Sequence, residues 1–258
     1  MQKTAIVLAL LMTAASAQAD WFGGDCDHTL PRRLTTPSAG VERITIIGKA
    51  GKLRVEGRDA LAEVVASGIA CSSDEDFLQG MNLFASRRGG ELRIEVRMPE
   101  KKSFFGSFSA ALDFTVLVPS GVALSIEDGS GETEIVNVGR TEIEDGSGDL
   151  TIRGVRGDLR VTDGSGSLEI ADVSGSVRIE DGSGGIDVRR VEGNVTIEDG
   201  SGSIDVRNVR RDVLVEDDGS GSIEVSDVGG NFTVRDDGGG GISHHGVAGR
   251  VEVPTRDR

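Results

Sequence analysis

Aromatic side chains are scarce in this sequence. Only 3% of its 258 residues are aromatic, and none of them is tyrosine. Platforms that stack sugars or nucleic-acid bases need exposed aromatic rings. The composition therefore argues against a glycan-stacking or base-stacking surface.

Basic residues are also in the minority. The chain has 28 lysine and arginine residues against 43 aspartate and glutamate residues, so its formal net charge is −15. This charge disfavours attraction to nucleic acid or to anionic lipid. A cation or a basic partner fits it better.

Long apolar runs are missing after the first residues. The run from Ala5 to Met12 follows Lys3 and leads to small residues that end at Ala19, which is typical of a secretory signal peptide over residues 1–19. No later segment approaches the roughly 20 apolar residues that span a bilayer. We expect an exported chain with no transmembrane segment.

Cysteine and histidine are too few to support much chemistry. In an exported protein the two cysteines, Cys26 and Cys71, are expected to form a disulfide, and two unpaired thiols are the alternative. His244 and His245 are adjacent, so in a strand they point to opposite faces and do not easily share a metal ion. No catalytic residue and no cofactor is predicted.

Glycine, by contrast, is abundant and recurs at fixed places. The tetrapeptide Asp-Gly-Ser-Gly returns at spacings of 17, 18, 18, 18, 19 and 19 residues, with Asp-Gly-Gly-Gly as its last copy. So short and constant a period indicates one supersecondary unit stacked on copies of itself. The copies begin at Asp128, Asp145, Asp163, Asp181, Asp199, Asp218 and Asp237.

One unit, from Asp163 to Glu180, reads DGSGSLEIADVSGSVRIE. Its apolar residues come in period-2 pairs between glycine-rich corners, which predicts two short strands per unit. A hairpin meander also uses glycine-rich turns, but it gives no reason to repeat the same residue every 18 positions. We predict an all-β, single-stranded parallel β-solenoid (β-helix) with coils of about 18 residues. The inward residues of this unit would be Leu168, Ile170, Val173, Val177 and Ile179.

The patterning divides the chain into four parts. After the signal peptide, residues 20–40 are an N-terminal extended segment. Residues 41–120 show strand patterns without the strict period, which predicts irregular strands that cap the solenoid. Residues 121–258 are the regular repeats. Pro254 and the charges after it discourage edge pairing at the open end, so a monomer is expected.

Stacked coils would place the repeat aspartates in one column. Neighbouring carboxylates about 4.8 Å apart repel one another. The simpler interpretation is that each Asp accepts backbone N–H groups of its own corner in an Asx turn. The alternative is a line of calcium sites at these aspartates. The calcium-binding nonapeptide of the RTX solenoids does not match, since Ile204 stands where its ligand Asp belongs.

Outward positions form a second column. Its residues lie between the first two apolar residues of each unit and are mainly acidic, so the strip is either a solvated face or the surface that meets a partner. If a face binds, we expect it to consist of Glu134, Glu169, Asp187, Asp205 and Glu224.

The run Gly-x-Ile-x-Val-x-x-Val-x-Gly-x-Val-x-Ile, repeated from Asp128 to Val253, resembles a bacterial family of β-strand-repeat proteins. The family is labelled as putative adhesins with a domain of unknown function. The resemblance covers roughly residues 41–253, and the order of parts along the chain also agrees with it: a signal peptide, irregular strands and then the repeats. It implies an exported β-solenoid in the periplasm or at the surface of a Gram-negative bacterium, and it carries over no catalytic residues.

These features predict a non-enzymatic, adhesin-like β-solenoid. Its rigid acidic surface would bind a protein or glycan in the cell envelope or outside the cell, and no nucleic acid. A calcium-stabilised repeat protein is the second hypothesis, and a carbohydrate-active β-helix enzyme is the third.

Overall fold

A computed structural model describes residues 26–100 and 108–254 of the chain. The predicted signal peptide over 1–19 lies outside the described residues. The described chain is almost entirely strand, in two sheets of 11 strands each. Its helix, α1 (Glu75–Gly80), is a short one, and no helix of the described residues is long and apolar enough to cross a membrane.

Along the regular part of the chain, successive strands belong alternately to the first sheet, sheet A, and to the second, sheet B. In spatial order, sheet A contains β1 (His28–Pro37), β4 (Glu63–Ser72), β7 (Ala110–Pro119), β3 (Leu53–Arg58), β9 (Thr133–Val138), β11 (Leu150–Val155), β13 (Gly166–Val173), β15 (Gly184–Val191), β17 (Gly202–Val209), β19 (Ile223–Val228) and β21 (Ile242–Val247). Sheet B contains β22 (Val251–Glu252), β20 (Phe232–Val234), β18 (Val213–Asp218), β16 (Val195–Asp199), β14 (Val177–Asp181), β12 (Leu159–Asp163), β10 (Thr141–Asp145), β8 (Ala123–Asp128), β2 (Arg43–Ile47), β6 (Glu91–Arg97) and β5 (Asn82–Arg88).

Each regular coil gives one strand to each sheet, and successive coils pair in parallel. The pairing is in register, so that Ile152, Ile170, Val188 and Val206 form one line across sheet A. The predicted parallel β-solenoid with coils of about 18 residues is therefore confirmed.

The core lies between the two sheets and consists of apolar columns. In the unit that starts at Asp163, the inward residues are at most 2% exposed. Burial of each such side chain stabilises the fold by roughly 1.5–3 kcal/mol. The residues are those predicted to point inward: Leu168, Ile170, Val173, Val177 and Ile179.

The N-terminal region contains one regular coil and a set of antiparallel strands. Strands β2 and β3 pair in parallel with β8 and β9, so together they form the first coil of the stack. Beyond them, β1, β4 and β7 pair antiparallel in sheet A, and β5 pairs antiparallel with β6 in sheet B. These antiparallel strands cover the end of the solenoid.

The two cysteines lie together in this covering region. Cys26 precedes β1 and Cys71 belongs to β4, and their Cα atoms are 5.8 Å apart. The pairing joins the start of the described chain to the antiparallel strands.

The second glycine of each repeat lets consecutive corners stack closely. Gly166, Gly184 and Gly202 have φ angles of +142°, +147° and +150°, a region that is essentially restricted to glycine. A Cβ atom built on Gly184 would lie 1.7 Å from the carbonyl oxygen of Gly166 in the preceding coil. Both the backbone conformation and the space therefore require glycine here.

We expect Gly184→Ala to lower the free energy of unfolding by about 3 kcal/mol or more, because it adds steric overlap to backbone strain. Its neighbour Gly185 is a matched control. A Cβ there would come no closer than 3.7 Å to Ser203 Oγ, so Gly185→Ala should leave stability unchanged or slightly raised. Denaturant unfolding followed by circular dichroism compares the two. Equal stabilities would contradict the close-approach argument.

Candidate functional site

Six of the seven repeat aspartates lie inside the solenoid, whereas the seventh, Asp237, follows β20 and is half-buried. Each of the six ends a strand of sheet B, and the parallel register places Asp145, Asp163, Asp181 and Asp199 in line. In these coils the Asp comes two residues after a buried Ile or Val, and period-2 alternation therefore puts its side chain on the inward face. We call Asp128, Asp145, Asp163, Asp181, Asp199 and Asp218 the aspartate column; all six are 9% exposed or less.

Hydrogen-bond partners for this column are few. Asp199 Oδ1 accepts the backbone N–H of Ser201 at 3.0 Å, which is the expected Asx turn. Asp128 Oδ2 accepts the Thr133 hydroxyl at 3.0 Å. The carboxylate oxygens of Asp145, Asp163, Asp181 and Asp218 form no hydrogen bond of standard geometry, and among the described residues only backbone N–H groups of their own corners interact with them, as Gly164 and Ser165 do with Asp163. The Asx turn predicted for every repeat has standard hydrogen-bond geometry at Asp199. At Asp163, Asp181 and Asp218 the equivalent serine N–H groups still favour the ionised carboxylate.

The residues that follow each corner explain the missing partners. Thr133 begins β9, and its place in the ladder is taken by Leu150 and then by Leu168 in the next coils. Later coils hold Ile186 and Ile204 there. These apolar side chains have no donor, so only the first carboxylate of the column has a hydroxyl beside it.

Burial raises the pKa of every aspartate in the column. The pKa reaches about 7 for Asp145, where burial is reinforced by the charges of Asp128 and Asp163. It reaches about 6 for Asp128 and for Asp199. A hydrogen bond from Thr133 opposes the rise at Asp128.

The column does not resemble a calcium centre. Calcium takes six to eight oxygen ligands, whereas the positions opposite most of these carboxylates hold leucine or isoleucine. Within residues 26–100 and 108–254, no group of three or more His, Cys, Asp or Glu residues could hold a metal ion.

The predicted binding strip lies on the outer face of sheet A, where arginines interrupt its negative charge. Glu169 pairs with Arg153 at 2.9 Å and also with Arg189. These hydrogen bonds lower the pKa of the Glu169 carboxyl below its usual value. The pattern continues along the strip: Glu134 pairs with Arg54, Asp187 with Arg189 and Arg207, and Asp205 with Arg207.

The arginines follow from the same alternation that places the acids. Arg153, Arg189 and Arg207 stand two positions after Thr151, Asp187 and Asp205, so they share the outward face. Among the described residues, Glu224 forms no ion pair within 4.0 Å. The strip is thus a row of carboxylate–guanidinium pairs, and among the described residues Glu224 is its member without an ion pair.

A second acidic surface, which the sequence reading missed, lies on the outer face of sheet B. Glu127, Glu144 and Glu198 are exposed and directly precede a column aspartate. Within the described part of the chain, none of the three forms an ion pair. We call these three residues the sheet B acidic patch. The available signal was the glutamate that directly precedes Asp128, Asp145 and Asp199, because that position alternates with the inward column.

A shallow groove runs along one corner of the solenoid. Its residues include Asp172, Arg190, Asn208 and Asp227, all at positive φ between 56° and 61°. Arg190 donates two hydrogen bonds to Asp172, at 2.6 and 2.8 Å, and thereby lowers the pKa of that carboxyl. A glycosidase general acid needs the opposite shift, so Asp172 does not fit that role.

Several solved bacterial structures are similar to this chain. A putative adhesin from Bacteroides fragilis is 12% identical, with 88% of this chain and 98% of that one covered and a TM-score of 0.45. A putative adhesin from Parabacteroides merdae is 14% identical, with 89% and 97% covered and a TM-score of 0.44. A putative lipid binding protein from Parabacteroides distasonis is 18% identical, with 86% and 96% covered and a TM-score of 0.44.

No curated protein matches the sequence. A family model does match: that of Toastrack DUF4097, over residues 63–235. The match spans about two thirds of the chain, from the antiparallel strands of the N-terminal region to β20. It agrees with the expected resemblance to a family of β-strand repeats with a domain of unknown function. The chain belongs to the Toastrack DUF4097 family.

Proposed function

We propose that this chain is an exported, non-enzymatic β-solenoid that presents a rigid, acidic side face to a protein partner in the cell envelope or outside the cell. The observation that carries the proposal is the regular array of outward carboxylates on the parallel strands of sheet A. The proposed contact residues are Glu134, Glu169, Asp187, Asp205 and Glu224.

Rigidity supports a binding role for such a face. Strands β13, β15 and β17 each pair with a strand on both sides, so the residues between their ends are held in place by two ladders. Binding on a preorganised surface loses less conformational entropy than binding on a mobile loop. The charges are then presented at the coil spacing of about 4.8 Å.

The chemistry of the face favours a protein over a glycan. The outward acids of sheet A and the arginines beside them, Arg153, Arg189 and Arg207, lie on a face that holds no phenylalanine, tryptophan or tyrosine in the regular coils. Sugar stacking needs such rings. A partner with its own lysine and arginine residues can pair with the carboxylates, above all near Glu224. Matched charge of this kind gives an interface its specificity and speeds association.

Neutralising the strip tests which face binds. In the variant Glu169→Gln, Asp187→Asn, Asp205→Asn and Glu224→Gln, recovery of partner proteins from envelope extract should fall about tenfold, because a change of 1.4 kcal/mol in binding suffices for that. Recovery is measured by quantitative mass spectrometry after pull-down with the purified protein.

The matched control changes four carboxylates on sheet B: Glu127→Gln, Glu142→Gln, Glu144→Gln and Glu198→Gln. It alters net charge equally and should retain the partner. Equal recovery by both variants and the unmodified protein would contradict an acidic binding face. Loss in the control alone would move the face to sheet B, and recovery of glycans in place of proteins would change the class of partner.

Export is tested at the N-terminus. The full chain, expressed in a Gram-negative host, should be recovered outside the cytoplasm with Asp20 as its first residue, because signal peptidase cleaves after small residues such as Ala17 and Ala19. Mass spectrometry and N-terminal sequencing measure this. Ala19→Leu should block cleavage. A chain that retains Met1 and stays in the cytoplasm would contradict export.

A further inference from the structure

The aspartate column has no evident role in the proposed function, because it faces the core. In an in-register parallel stack, its carboxyl groups repeat at the coil spacing of about 4.8 Å. Asp163, Asp181 and Asp218 are 3%, 7% and 0% exposed. Water therefore cannot separate or screen neighbouring members of the column.

These groups are difficult to keep ionised. The buried carboxylate oxygens of Asp145, Asp163, Asp181 and Asp218 lack a hydrogen bond of standard geometry, and the backbone N–H groups of their corners do not outweigh the effect of burial. A buried charge is tolerated when it is paired or hydrogen-bonded, and here the adjacent column of sheet A is apolar. Each ionised carboxylate inside the row also has another carboxylate above it and below it, so like charges repel along the row.

A protonated carboxyl group resolves both difficulties. It carries one O–H donor and retains acceptor capacity, so it can donate to the carboxyl group of the next coil while accepting from the one before. Carboxyl pairs that share a proton are known where two carboxylates occupy one site. The stacked aspartates extend that arrangement from a pair to a row.

We propose that the aspartate column is a proton-sharing ladder, in which protons held between successive Asp carboxyl groups join the coils and are released as the pH rises, so that the solenoid is most stable in mild acid. This inference does not depend on the proposed binding face. It concerns the core, and its failure would leave that face untouched.

The groups around the column agree with this assignment. Its N-terminal neighbour in the stack is Gly48, which lies against Asp128 Oδ1 and adds no charge. From sheet A, Asp128 faces the neutral hydroxyl of Thr133. At the other end, Asp217 and Asp237 add negative charge near Asp218. Backbone N–H groups of Gly164 and Ser165 favour the ionised form of Asp163 but do not outweigh its burial.

The charges that shift the pKa values of Asp145, Asp181 and Asp199 belong to other aspartates of the column. The charge of Asp163 raises the pKa of Asp145 and of Asp181, and the charges of Asp181 and Asp218 raise the pKa of Asp199. No lysine, arginine or histidine contributes to the shifts of Asp145, Asp163, Asp181 and Asp199 in the described structure. Because the groups are coupled, the titration belongs to the row as a whole.

The direction of the pH effect follows from linkage. An unfolded aspartate has a pKa of about 3.9, whereas Asp145 has one of about 7 and Asp128 and Asp199 of about 6 in the folded chain. The folded state therefore binds more protons over this interval. The stabilisation is complete below the unfolded pKa and is lost as the pH rises through the folded values.

The test is a set of thermal melts from pH 5 to pH 8 at constant ionic strength. For the unmodified protein, we expect the melting temperature to fall with rising pH by on the order of 10 °C. The variant Asp145→Asn/Asp199→Asn should melt higher than the unmodified protein at pH 8 and depend less on pH, because an amide is neutral and supplies its own donors. The control Glu144→Gln/Glu198→Gln changes the exposed neighbours and should keep the unmodified profile.

Infrared spectroscopy gives a direct readout that does not depend on the variants folding. The native protein at pH 6 should show the carbonyl band of protonated carboxylic acids, and this band should disappear on unfolding at the same pH. Absence of the band, or a melting temperature that is constant or rises from pH 5 to pH 8, would overturn the proposal. So would a calcium-dependent rise in melting temperature at pH 8 that the double Asn variant lacks, since it would assign the column to a cation.

Discussion

Parallel stacking in register places each side chain of a coil directly over the same position of the next coil, about 4.8 Å away. The consequences differ by residue type. Apolar columns such as Ile152, Ile170, Val188 and Val206 gain contact from this arrangement and fill the core. Glycine columns are required where backbones approach most closely, as Gly184 does over Gly166. Charged columns are destabilised by stacking, because it places like charges close together. The solenoid has to relieve this repulsion in every coil.

Three different arrangements provide that relief. On the outer face of sheet A, arginines such as Arg189 stand beside the acids and pair with carboxylates of their own and adjacent coils. At one corner, polar side chains accept the backbone N–H of the next coil, as Asn194 Oδ1 does from Asp212 and Asp212 Oδ1 from Asn231. Asparagine and aspartate can both occupy this corner, because a single side-chain oxygen is enough to accept the backbone N–H of the next coil. Inside the solenoid, within the described residues, no arginine contributes to the pKa shifts of the column, and the backbone N–H groups of its corners do not outweigh burial. This is why we propose that the aspartate column holds protons.

Sequence periodicity was sufficient to predict the regular coils, but it was insufficient to predict the antiparallel strands of the N-terminal region. Period-2 pairs between glycine corners predicted two strands per unit and the inward set around Ile170. The same alternation could have placed Asp145 in the core, since it lies two residues after Ile143, but Asp-Gly was interpreted as a turn signal. It could also have placed Arg189 beside Asp187. The antiparallel strands β1, β4 and β5 have no repeat to reveal their partners, because their pairing is set by tertiary contact.

The buried column changes what the net charge of −15 means. That sum counts every aspartate as ionised, yet six of them lie in the core with raised pKa values. Where they hold protons, the field outside the solenoid is weaker than the composition suggests, and arginines reduce it further on sheet A. Exposed acids that form no ion pair in the described structure are present at Glu224 and in the sheet B acidic patch, and also at corner positions such as Asp149 and Asp158. A basic partner would therefore be recognised by position on a rigid face, with little long-range attraction, because screening limits such attraction to about 8 Å at physiological salt.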